Sequence, residues 1–154
     1  MVESLPHSNF NFIEGDILNL AVCESALQGI DVVYHLACLG VRHSLHSPVE
    51  NHEVNATGTL NILEAARING VQRFFYISTS EVYGKTESFP IVETNVPIPT
   101  TVYGSSKLAG EHYTSSYNER YGLDTTVVRI FNNYGPRAHY EGDSGEVMHR
   151  RQAA

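Results

Sequence analysis

Basic residues are scarce in this chain: 10 Lys and Arg stand against 17 Asp and Glu in 154 residues, a net charge of −7. A surface for nucleic acid or an anionic membrane needs the opposite excess, so neither is expected as a partner. A local pocket for a phosphorylated ligand stays compatible with the balance. Cysteine is also sparse. Cys23 and Cys38 are too few and too loosely spaced for a disulfide framework or a zinc knuckle, and both are expected as buried or partly buried thiols. No apolar run reaches membrane-spanning length, and no basic-then-apolar leader opens the sequence. A soluble cytoplasmic protein is the expectation. Internal repeats and low-complexity tracts are lacking too. What remains is 42% apolar residues in a length that suits one domain, residues 1–154.

The apolar pattern divides this length into alternating elements. Residues 1–8 form a lead-in. Asn9-Phe-Asn-Phe-Ile13 predicts a short strand, and Asn19 to Gln28 a short helix closed by Gly29. Asp31-Val-Val-Tyr-His-Leu-Ala37 is a continuous apolar run, as in a strand buried on both faces. Ser47-Pro-Val-Glu50 has the form of a helix start, with Ser47 as cap, Pro48 in the first turn and Glu50 closing a capping box. That helix runs to Asn69-Gly70. Arg73 to Ser78 and Leu123 to Ile130 predict two further strands, with a helix from about Thr101 to Tyr121 between them. Alternation of this kind implies a parallel α/β sheet with right-handed crossovers. From about residue 137 the tail turns polar and irregular.

Tyr103 and Lys107 fall four residues apart, on one face of the predicted helix. An ammonium beside a phenol favours the phenolate and makes tyrosine a general base. The pair alone is weak: with nine tyrosines and two lysines, a chance Tyr-x-x-x-Lys has odds of about one in nine. Its company matters more. Thr79, Ser80 and Glu81 follow a strand, where ligands sit in open parallel sheets. On their own these residues equally suit a turn whose hydroxyls bond local backbone. His35 lies inside a strand and is expected as a hydrogen-bonded core histidine. His43, His46 and His52 lack the carboxylate-cysteine company of a metal set and are expected as solvated or capping side chains.

Six short motifs carry a resemblance: Glu14-Gly-Asp16-Ile17, His35-Leu-Ala37, Asn55-Ala-Thr-Gly58-Thr59, Ser78-Thr-Ser-Glu-Val-Tyr-Gly84, Tyr103-x-x-x-Lys107 and Arg129-Ile-Phe-Asn132-x-Tyr-Gly-Pro136. In this order and spacing the chain resembles the extended short-chain dehydrogenase/reductases, and within them the nucleotide-sugar epimerases, dehydratases and decarboxylases. The likeness runs from about Phe10 to Gly145. It implies NAD as cofactor and a nucleotide-sugar as substrate. It implies that Tyr103 removes a proton from a sugar hydroxyl as hydride passes to NAD⁺, giving a ketosugar. Lys107 would lower the Tyr103 pKa and bond the nicotinamide ribose, and Thr79 would bond the same sugar oxygen. Asp16 and Ile17 would contact adenine, Leu36 and Ala37 would line the cofactor channel, and Ser78 would border the cofactor. Asn55 would position the site's backbone, and Phe131 and Asn132 would approach nicotinamide and substrate. Dehydratases of this group usually carry Asp where this chain has Ser80, and Ser80 cannot supply their acid. The Thr-Ser-Glu form looks more like decarboxylases and some 4-epimerases. Glu81 either acts at the sugar C5 or braces its loop. Arg42 either binds a diphosphate or is a solvated arginine. The family often dimerises through two long helices, here about 48–69 and 101–121.

The resemblance also implies a Gly-x-x-Gly-x-x-Gly turn after a first strand, where backbone amides meet the cofactor pyrophosphate. The sequence holds no such motif. The expected fold is therefore a partial Rossmann-like parallel sheet with flanking helices, lacking the first βαβ unit and the C-terminal substrate lobe. In a sheet of order 3-2-1-4-5-6, strands 1 and 2 lie between strands 3 and 4. Asn9–Ile13, as the third strand, is then expected misplaced, swapped or weakly held, and the next strand is left with an open edge. Two functions follow as expectations: part of an NAD-dependent sugar-nucleotide enzyme, inactive alone, or a non-catalytic remnant serving as an interaction module.

Overall fold

The structure is a computed structural model and describes residues 9–86 and 89–133. The lead-in 1–8, the tail from about 137 and Tyr134, Gly135 and Pro136 lie outside the described residues. Helix α1 spans Leu20–Ala26, strand β1 Val32–His35, α2 His43–His46 and α3 Pro48–His52. A π turn at Glu53–Thr57 leads into α4, Gly58–Ile68. Strand β2 covers Arg73–Thr79, followed by a 3₁₀ turn at Ser80–Val82, then α5, Val102–Tyr121, and β3, Asp124–Ile130. The three strands form one parallel sheet in the order β1-β2-β3. Register pairs His35 with Tyr76, and Ser78 with Arg129.

Local chemistry explains most boundaries. The Asn19 side chain accepts from the Val22 amide and starts α1. The Thr101 hydroxyl accepts from the Gly104 amide, 3.0 Å, and starts α5. Gly122, at φ 71°, ends α5 in the left-handed conformation that glycine adopts without strain.

Helices α4 and α5 lie on one face of the sheet. Their side chains enclose Val33, Leu63, Ala66, Val71, Phe74, Tyr76 and Leu123. Phe74, Tyr76 and Leu63 are fully buried, and each large apolar side chain removed from water contributes about 1.5–3 kcal/mol. Tyr117 donates to Glu64 at 2.9 Å and ties α5 to α4.

The structure corrects five expectations. Asn9–Ile13 forms no strand: it pairs with none of the described strands, and Phe10, Phe12 and Ile13 are exposed. β1 is not buried on both faces. Its residues alternate, with Tyr34 63% exposed, because no described helix packs on that face. There Tyr34 stacks on Phe75 at 4.7 Å between centroids, with the Arg73 guanidinium 4.9 Å above Phe75. The helix expected over 48–69 is interrupted by the π turn. Ser47 precedes α3 but makes no side-chain cap, and Glu50 pairs with His43 at 3.3 Å instead of closing a box. Finally, Cys38 is exposed, since it follows β1 in an open loop, whereas Cys23 is buried and donates to the Ile17 carbonyl.

Candidate active site

Helix α5 sets Tyr103, Lys107 and Glu111 four residues apart along one side. Tyr103 is half-buried on the first turn, and Lys107 is only 2% exposed. The Lys107 ammonium lies 4.4 Å from the Tyr76 ring centroid, a cation–π contact. Among the described residues no hydrogen-bond acceptor reaches it. Burial pushes the Lys107 pKa below its ordinary value, opposed by Cys38 and Glu111 nearby. Tyr76 in turn donates to the Lys107 carbonyl at 3.1 Å. Its hydroxyl fills the space beside Gly110 where any side chain would stand.

The end of β2 meets the start of α5. Thr79 is nearly buried, and its hydroxyl oxygen accepts from the Glu81 amide at 3.2 Å. This is a local turn bond, and it leaves the Thr79 hydroxyl proton available to another partner. Ser80 and Glu81 are half-buried in the 3₁₀ turn. A side chain at position 104 would collide with the Glu81 carbonyl, so Gly104 allows this turn to sit against the helix bearing Tyr103.

Beyond β1, Leu36 and Ala37 are exposed. The loop after them is held by buried asparagines. Asn55 Oδ1 accepts from the Leu39 amide at 2.8 Å while its Nδ2 donates to the Leu39 carbonyl at 2.9 Å. Asn51 donates to the Leu39 and Gly40 carbonyls, both at 3.1 Å. Asn55 sits within the π turn, and the widened turn aims its amide at this loop. Ile17 fills the space beside Gly58, and Asn61 donates to the Ile17 carbonyl at 3.0 Å. Asp16 and Ile17 line a pocket of about 150 Å³ whose wall is otherwise largely apolar.

His35 is the core histidine expected, 2.9 Å from the Thr59 hydroxyl. Thr59 already donates to the Asn55 carbonyl at 2.6 Å, so His35 Nε2 carries the proton and donates to it. Burial, with the Lys107 charge, lowers the His35 pKa from 6.5 to about 4.

At the end of β3, Phe131 stacks near Tyr83 with centroids 6.4 Å apart, and Asn132 is exposed. Arg42 is half-buried beside α2. Sequence reasoning gave no role to a buried pair in this region. Glu111 accepts from Ser78 Oγ and from Arg129, with Nη2 to Oε2 at 2.7 Å and Nε to Oε1 at 3.0 Å. The signals were available: Glu111 is one turn past Lys107, and Arg129 interrupts an apolar strand.

A buried ammonium and a phenol one turn away are donors of the kind that suits a nicotinamide riboside. The chain matches the model of the NAD dependent epimerase/dehydratase family over residues 2–153. It is 35% identical over 129 residues to the dTDP-glucose 4,6-dehydratase of Streptomyces niveus, covering 83% of this chain and 38% of the relative. Among solved structures, the UDP-N-acetylglucosamine 4-epimerase of Methanobrevibacter ruminantium M1, in complex with UDP-N-acetylmuramic acid, superposes with a TM-score of 0.91 at 31% identity. That match covers 97% of this chain and 48% of the epimerase. The UDP-glucuronic acid 4-epimerase of Bacillus cereus, bound to UDP-glucuronic acid and NAD, gives 0.80 at 40% identity, with 88% of this chain and 44% of that one covered. The chain thus spans about half the length, or less, of these proteins.

Proposed function

Because this chain belongs to the NAD-dependent epimerase/dehydratase family, we propose that it carries the catalytic residues of an NAD-dependent nucleotide-sugar enzyme. The observation that carries this reading is the placement of Tyr103 and the buried Lys107 on one side of α5, against the turn holding Thr79. Bound NAD supplies the hydride acceptor that oxidises a sugar carbinol to a ketone. The chain's own residues supply the rest. Tyr103, as phenolate, takes the proton from the sugar hydroxyl. The Lys107 ammonium favours that phenolate and offers its remaining N–H donors to the cofactor ribose. Thr79 donates its free hydroxyl proton to the same sugar oxygen, and fixed donors at a charged oxygen are worth most where water is excluded. Ser80 offers no acid for water loss, which favours epimerisation or decarboxylation over dehydration. Glu81 is placed to act at the sugar ring or to brace the turn. Asp16, Ile17, Leu36, Ala37, Asn55, Ser78 and Phe131 would border the cofactor. Asn132 and Arg42 would meet the substrate. A cytoplasmic setting and a homodimer through α3–α4 and α5 complete the reading.

No helix among the described residues is long and apolar enough to cross a membrane. We place the pyrophosphate-binding glycine turn outside these 154 residues, so the chain alone is proposed to be inactive. A second reading, an interaction module, draws on the unpaired β1 edge and the exposed Tyr34 beside it. Fluorescence titration of NADH against the chain tests the proposal. Inactivity alone predicts no saturable signal. Tight binding that Lys107→Ala abolishes would overturn that part while supporting the assigned site.

A further inference from the structure

Glu111 is 6% exposed, one turn beyond Lys107. Its carboxylate accepts from Ser78 Oγ on β2 and from Arg129 on β3, through Nη2 at 2.7 Å and Nε at 3.0 and 3.2 Å. Ser78 immediately precedes Thr79. Arg129 precedes Ile130, Phe131 and Asn132 by one to three residues. The Arg129 guanidinium also lies 4.8 Å from the Tyr83 ring centroid, and its Nη1 reaches the Glu93 carbonyl at 3.4 Å. One carboxylate therefore joins both strand ends, and through Arg129 the segment after β2, to the helix that bears Tyr103 and Lys107.

Stability gives a weak reason for this arrangement. A buried ion pair often stabilises no more than apolar side chains of the same volume. Its attested use is to fix one arrangement among several. We propose that Glu111 is the positioning residue of this site: its carboxylate locks the ends of β2 and β3 to α5 and keeps an anion beside the Lys107 ammonium. The proposal deepens the catalytic reading above, since it matters for catalysis only if Tyr103 and Lys107 are the reactive pair.

Among the described residues, Ser78 and Tyr76 from β2 and Arg129 from β3 touch this pair, and His35 from β1 and Cys38 from the following loop lie within reach of the Lys107 charge. Burial drives Lys107 toward its neutral form, and the Glu111 charge opposes that. Removing the charge leaves the Arg129 cation uncompensated close by.

The chain has two lysines, Lys85 and Lys107. Lysine labelled at Cε, in a Lys85→Arg background, therefore gives one NMR signal that titrates with Lys107 alone. Glu111→Gln is expected to shift its midpoint to lower pH, and Glu111→Asp to restore it toward the parent value. A folded Glu111→Gln protein with an unmoved midpoint overturns the proposal, as does failure of Asp to rescue. Should Glu111→Gln not fold, Ser78→Ala keeps the charge and removes only the β2 tie. Amide hydrogen exchange at Ser80 and Glu81 is then expected to rise, and unchanged exchange overturns the lock. Turnover by an NAD-loaded chimera, in which residues 9–133 replace the matching stretch of a full-length relative, reports separately on the catalytic reading: a shifted Lys107 midpoint together with chimera turnover that Tyr103→Phe leaves unchanged upholds the lock and sinks the function.

Discussion

Acid should destabilise this fold through one side chain. His35 is 4% exposed, donates to Thr59 and lies within reach of the Lys107 charge. Its folded pKa is about 4, against 6.5 for the free side chain. Between those values the unfolded chain binds a proton that the folded chain excludes, so stability falls as pH falls. The contribution is complete above pH 6.5 and is lost as pH drops toward 4. The gap is worth about 3 kcal/mol, a large part of a domain stability of about 5–15 kcal/mol. Urea unfolding at several pH values between 7.5 and 4 reads it. Carboxylates titrate in part of this range, so the comparison is with His35→Gln, whose amide can still donate to Thr59. The wild-type chain should lose about 3 kcal/mol more than the variant across the window. Equal losses in the two proteins would refute the argument, because His35 would then titrate normally in the folded state.

Two further outcomes follow from packing and capping. Gly110→Ala should lower stability by about 1–3 kcal/mol, since the new methyl meets the Tyr76 hydroxyl; thermal unfolding checks it. Thr101→Ala should cost about 1 kcal/mol by removing the hydroxyl that accepts from the Gly104 amide. Thr101→Ser should stay close to the parent in the same urea titration.

Much of this architecture was legible because its signals are local. Thr101, Gly122, Asn19 and Gly70 mark helix ends through side-chain hydrogen bonds or left-handed φ, and they act whatever the surroundings. Strand identity depends on neighbours instead. Asn9–Ile13 has the composition of a strand but pairs with no described strand, and β1 has an apolar run but one bare face. Ser47 lost its capping role to geometry, and Glu50 to the nearby imidazole of His43. Within the site, Tyr103 and Lys107 were visible because a helix makes their spacing meaningful. The Ser78–Glu111–Arg129 network left single polar residues as its signals but not their pairing, since its members lie 18 and 33 residues apart in sequence. Only the parallel pairing of β2 with β3 beneath α5 brings them together.

Whether Tyr103 is a working base can be read in a chimera, with residues 9–133 replacing the corresponding stretch of the Bacillus cereus 4-epimerase, which is 40% identical. Steady-state turnover of UDP-glucuronic acid by the folded, NAD-loaded chimera is the measurement. Activity is expected, and Tyr103→Phe should lower it by about 10²–10⁴-fold. A chimera whose kcat is the same with phenylalanine at that position would contradict it.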